Sequence, residues 1–123
     1  MKRERKDQVP RGALNALILA LLAETPMHGY RLARALEERS EGAFRLREGT
    51  LYPALHELEL AGFVDARWDT GPRTPERGKP GRKRRVYRLT ATGRREAKGT
   101  RREWLAVAEL LRRLLSGPTE AKS

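Results

Sequence analysis

The densest chemistry in the sequence is cationic. From Arg73 to Arg85 stand Arg73, Arg77, Lys79, Arg82, Lys83, Arg84 and Arg85, opposed by the single acid Glu76. Side chains of this kind neutralise phosphates, and each neutralised phosphate releases condensed counterions. Arginine adds a planar fork that fits phosphate or guanine bidentately. The same run also reads as an ordinary solvated face. A second group lies in Glu48-Gly49-Thr50-Leu51-Tyr52-Pro53-Ala54-Leu55-His56-Glu57-Leu58. Thr50 and Tyr52 can donate to phosphate, His56 can reach phosphate or a base edge, and Pro53 can lie against a thymine methyl.

Catalytic chemistry finds no such support. His56-Glu57 opens like the zinc-protease helix H-E-x-x-H, but Leu60 stands where the second histidine belongs. The chain has two His and no Cys, which removes thiol nucleophiles, thiolate zinc sites and disulfides. Neither a Gly-rich phosphate loop nor a nucleophile beside a base is present. The expectation is a protein that is not an enzyme and carries no metal or cofactor, and the absence of cysteine fits a reducing cytoplasm.

A length of 123 residues allows one compact core. The hydrophobic fraction of 38% is below the usual value of about 45–50%, so that core is modest. A net charge of +11 attracts polyanions, and alone it does not separate DNA from RNA or a lipid surface. The start of the chain imitates a secretory signal, with Lys2, Arg3, Arg5, Lys6 and Arg11 before an apolar run from Ala13 to Ala23. The cleavage pattern fails at Leu21, Asn15 interrupts the run, and the run falls short of the ~20 residues that span a bilayer. No membrane partner is expected.

The elements that position these residues follow from periodicity. Residues 1–10 are charged and aperiodic, a disordered basic arm that either adds affinity for nucleic acid or is simply solvated. Leu14, Leu17, Ile18, Leu21 and Leu22 mark one stripe of a helix over Arg11–Glu24. Thr25-Pro26 ends it. A second helix runs from Tyr30 to about Arg39, with Leu32, Ala33 and Leu36 inward. At its start, His28 caps and Tyr30 either packs partly buried or contacts phosphate. Phe44-Arg45-Leu46 permits a brief strand. Gly49 to Ala61 forms a third helix with Leu51, Ala54, Leu55 and Leu58 inward, and Gly62 terminates it. Thr50, Tyr52, Pro53, His56 and Glu57 are thereby left exposed, with Pro53 in the first turn, where its missing amide costs nothing.

Phe63–Trp68 and Arg84–Leu89 read as a hairpin with a long tip, Val64, Ala66 and Trp68 sharing one side. From Thr90, an N-cap, a last helix reaches about Leu115. Trp104, Ala108, Leu111 and Leu115 recur at four, three and four, a seam with more apolar surface than one small domain can cover. The expected fold is mainly α with a small β-hairpin: a winged helix-turn-helix over 11–89, a dimerisation helix over 90–116 and a flexible tail over 117–123. Trp104 serves either as interface core or, paired across a two-fold axis, as an aromatic sandwich for a flat effector.

Met27-His28-Gly29-Tyr30, Gly49-Thr50-Leu51-Tyr52-Pro53-Ala54-Leu55, and Gly81-Arg82-Lys83-Arg84-Arg85-Val86-Tyr87-Arg88-Leu89-Thr90 with Gly93 resemble, in order, the PadR-like family of bacterial transcriptional regulators. The resemblance covers roughly Leu14 to Leu115. It implies a homodimer, held by the closing helix, that represses genes by covering a two-fold operator, in some members released by an aromatic or drug-like compound. It also implies DNA contacts at Thr50, Tyr52 and Pro53 and along Arg82 to Arg85. Glu57 departs from it, standing where many members have a basic residue. The expectation is therefore a sequence-specific repressor on double-stranded DNA. The alternative is a packaging or RNA-binding module that uses the same fold without sequence choice.

Overall fold

The computed structural model describes residues 11–69 and 84–118. The expected basic arm, most of the wing tip with Arg82 and Lys83, and all but the first two residues of the expected tail lie outside the described residues. The elements are α1 (Arg11–Glu24), β1 (Met27–His28), α2 (Gly29–Arg39), α3 (Glu48–Leu60), β2 (Val64–Asp69), β3 (Arg84–Leu89) and α4 (Ala91–Ser116). No helix among the described residues is long and apolar enough to cross a membrane.

Helix α1 is buried on two sides. Leu14, Ile18, Leu21 and Leu22 form the expected stripe, but Ala16 and Leu19 are buried as well, whereas Leu17 is exposed. The second side carries small residues and receives α4. Gly12 meets Trp104, and Ala20, Ala23 and Glu24 share a hollow with Arg94, Ala97, Lys98 and Arg101. The two helices therefore run antiparallel. Leu17 falls in the gap between the faces, so a one-stripe reading misassigns it.

Between α2 and α3 the chain turns on a side chain. Ser40 Oγ accepts from the Phe44 amide at 2.9 Å and donates to the Glu37 carbonyl at 3.1 Å, with Glu41 and Gly42 at positive φ. Phe44 is buried as a plug in this turn, and residues 43–47 form no strand, contrary to expectation. The Ser40 bonds give that backbone a local partner in place of a ladder.

Helix α3 buries Leu51, Ala54, Leu55 and Leu58. It ends in a double reverse bond, with Gly62 N donating to Glu59 O and Phe63 N to Leu58 O, both at 3.0 Å. This arrangement needs the positive φ of Gly62. The sheet has three strands in the order β1-β3-β2, all antiparallel, where the sequence indicated two. Two-residue β1 is too short to show alternation, yet it pairs Met27 with Tyr87 and His28 with Val86.

Helix α4 is fastened to the end of α3. Thr90 Oγ1 accepts from Gly93 N at 2.9 Å and donates to Gly62 O at 2.7 Å, while Thr90 N donates to Phe63 O at 3.1 Å. Thr90 is thus the N-cap that the sequence indicated. Gly93 lies so close beneath Phe63 that a Cβ would stand 1.9 Å from its carbonyl oxygen. From Arg101 to Pro118 every residue is exposed, Leu105, Val107, Leu110, Leu111, Leu114 and Leu115 among them.

Candidate nucleic-acid interface

The 3.6-residue repeat that buries one face of α3 turns Thr50, Tyr52, Pro53, His56 and Glu57 outward, and all five are exposed. Pro53 is not in the first turn. The helix starts at Glu48, with Arg47 as N-cap and the Thr50 and Leu51 amides both reaching Arg47 O at 2.9 Å. Pro53 is the sixth helical residue, so the Gly49 carbonyl loses the amide it would otherwise accept from. Even for a helix that starts at Gly49, Pro53 is the fifth residue and lies past a first turn of 3.6 residues.

Tyr52 reaches back across α2. Its ring lies on Gly29, where a Cβ would stand 2.6 Å from the hydroxyl oxygen. Two motifs far apart in sequence are thereby one contact. A groove of about 710 Å³ opens beside it, lined among others by His28, Tyr30, Tyr52, His56, Trp68 and Arg84. Tyr30 is 66% exposed, which removes the packing role considered for it. Its hydroxyl accepts from Arg34 at 3.4 Å, and Arg34 also reaches Glu38. The Tyr30 bond first, and the Glu38 charge after it, raise the Arg34 pKa above its ordinary value. His28 is the N-cap residue of α2 but makes no side-chain cap bond.

Strand alternation divides the wing arginines. Register pairs Val64 with Leu89, Ala66 with Tyr87 and Trp68 with Arg85, so Arg85 continues the row whose other members, Tyr87 and Leu89, are buried. Arg84 is exposed. Arg85 donates to Glu59 Oε2 at 3.1 Å, with its guanidinium carbon 5.6 Å from the Trp68 ring centre and 5.7 Å from that of Tyr87. Burial pushes the Tyr87 phenol up from its ordinary value; Arg85 opposes the shift, while Glu59 and Tyr52 add to it. Trp68 is 64% exposed. Alternation put it on the inner side, but at that end the sheet outruns the core. Glu59 was not among the sequence candidates, since an acid on a helix flank carries no signal of a partner 26 residues away.

On α4, Trp104 packs its Cζ2 against Gly12, 3.3 Å from where a Cβ would be, and stays 37% exposed. Ala108, Leu111 and Leu115 follow it on the exposed stretch. On α1, one turn from Gly12, the Asn15 Oδ1 is buried without a hydrogen-bond partner.

Residues 18–99 match the model of the "Transcriptional regulator PadR-like family". The chain is 37% identical over 107 residues to the transcriptional regulator Rv3488 of Mycobacterium tuberculosis, covering 87% of each. In structure it is similar to a PadR family transcriptional regulator of Eggerthella lenta (30% identity, TM-score 0.66, 85% of this chain and 83% of that one). It is also similar to one from Clostridium difficile R20291 (26% identity, TM-score 0.67, 83% and 97%). The family match takes in the sheet and the start of α4, and the chain belongs to the PadR-like family of transcriptional regulators.

Proposed function

We propose that the chain is a homodimeric, sequence-specific DNA-binding repressor whose two α3 helices enter successive major grooves about 34–36 Å apart. The observation that carries this reading is the juxtaposition of Tyr52 and His56, from the exposed row of α3 that also holds Thr50 and Pro53, with Arg84 at the base of the wing, across one open groove. Helix side chains reach base edges, and wing cations hold the adjacent backbone. Arg82 and Lys83 extend the cationic set along the sequence.

Helix α4 supplies the surface for a partner copy. Its last four turns expose six large aliphatic side chains besides Trp104, a concentration that marks an association surface in a charged chain. Two copies joined there in a two-fold pair present their α3 helices to a two-fold operator. Trp104, half-covered by α1, is the candidate contact for an aromatic effector at that junction.

Mobility shift and footprinting on genomic fragments test the reading. The expected result is a two-fold protected site that survives physiological salt. Uniform binding that collapses with salt identifies a non-specific nucleic-acid module instead.

A further inference from the structure

Arg85 sits among the wing cations in sequence and lines the same groove as Arg84, but its side chain is engaged within the protein. It shares the inner row of the sheet with buried Tyr87 and Leu89. Its Nη2 donates to Glu59 at 3.1 Å, its carbon lies over Trp68 and Tyr87, and its Nε is buried without a partner. The Glu59 carboxylate is the less exposed member of the pair, 23% against 40%. Glu59 stands in the last turns of α3, and Arg85 in the strand that leads out of the wing. The pair therefore joins the two surfaces that the proposed function assigns to base reading and backbone holding.

We infer that Arg85 is a positioning residue, not a phosphate contact: with Glu59 and the Trp68 and Tyr87 rings it fixes the angle between the recognition helix and the wing. This rests on the DNA-binding reading above. An acid facing a DNA groove repels phosphate, and the charge of Arg85 offsets that of Glu59 from within the protein. A guanidinium whose face lies against aromatic rings and whose Nη2 is bound to a carboxylate is oriented by both contacts.

Glu59→Gln and Arg85→Lys separate the two roles. As a positioning pair, both variants weaken binding to the specific site about threefold or more. They do so although the first removes a negative charge from the groove and the second keeps a positive one. The dependence of log affinity on log salt keeps its wild-type slope, because the protein still neutralises the same set of phosphates. If Arg85 touches phosphate directly, Glu59→Gln tightens binding and Arg85→Lys leaves it unchanged; either result overturns the inference.

A second measurement needs no DNA. With 5-fluorotryptophan incorporated, the two indoles give separate fluorine resonances. In both variants the Trp68 signal should move while that of Trp104 stays in place, which also reports that the chain is folded. A Trp68 signal that stays in place overturns the inference. If the wild-type chain selects no DNA site, the proposed function fails, and the resonance alone still decides whether the pair holds the wing.

Discussion

Tyr52 lays its phenol on the bare backbone of Gly29, with the hydroxyl oxygen 2.6 Å and two ring carbons 2.9 Å from the place a Cβ would take. The obstruction is a side chain, so Gly29→Ala swings Tyr52 away and leaves the fold intact. The expected cost is about 1–3 kcal/mol of stability, with site-specific binding falling roughly tenfold. Thermal melts and fluorescence anisotropy check both. A destabilised variant that binds as tightly as wild type contradicts the role given to Tyr52.

At Gly93 the obstruction is backbone, the Phe63 carbonyl. Gly93→Ala is expected to cost more than about 3 kcal/mol, and Thr90→Val, which removes the cap and the Gly62 bond, about 1 kcal/mol. Urea denaturation measures both. Equal, small effects would show that the two helices are not joined as described.

Leu111→Glu with Leu115→Glu places charge on the exposed end of α4. Sedimentation should show a monomer for the variant and the proposed dimer for the parent chain, with the melt of the winged domain little changed, since neither side chain belongs to the core. Trp104→Ala is expected to impair dimerisation or the response to an aromatic compound. If both persist, Trp104 only packs on Gly12.

Neutralising Arg82, Lys83 and Arg84 together should weaken binding to all sequences and lower the salt slope by about 0.9 for each phosphate that is no longer neutralised. Titration at several salt concentrations gives the slope. An unchanged slope removes the wing from the interface.

Burial raises the Tyr87 pKa in the folded chain. Between the unfolded value of about 10 and the higher folded one, the native state binds more protons than the unfolded state. Stability is thus fully present below pH ~10 and is lost as pH rises through the folded value. Urea midpoints from pH 8 upward should fall less steeply for Tyr87→Phe than for wild type, and parallel curves would exclude Tyr87 as a contributor.

What could be read in advance depended on how many residues repeat the same message. Leu51, Ala54, Leu55 and Leu58 state one helical face four times, β2 alternates apolar with charged residues, and β3 is rich in β-formers, so these elements were legible. Met27-His28 makes a strand too short to alternate, and Ser40 folds Phe44 into a turn through a hydroxyl that hydropathy ignores. Leu17 was misread because α1 answers to two neighbours, not one. The exposed row on α3 followed from its buried face. The Glu59–Arg85 pair did not, because it exists only once strand register and helix rotation are both fixed.

The joint of Gly62, Phe63, Thr90 and Gly93 is made of main-chain atoms and the Thr90 hydroxyl, and sits at the far end of α3 from Thr50 and Pro53. One helix thus keeps its assembly instructions at its end and its proposed address label near its start. Substitutions at Thr50, Pro53 and His56 can accumulate without loosening the joint, so a lineage carrying this chain is free to readdress it to new operators while inheriting the same frame.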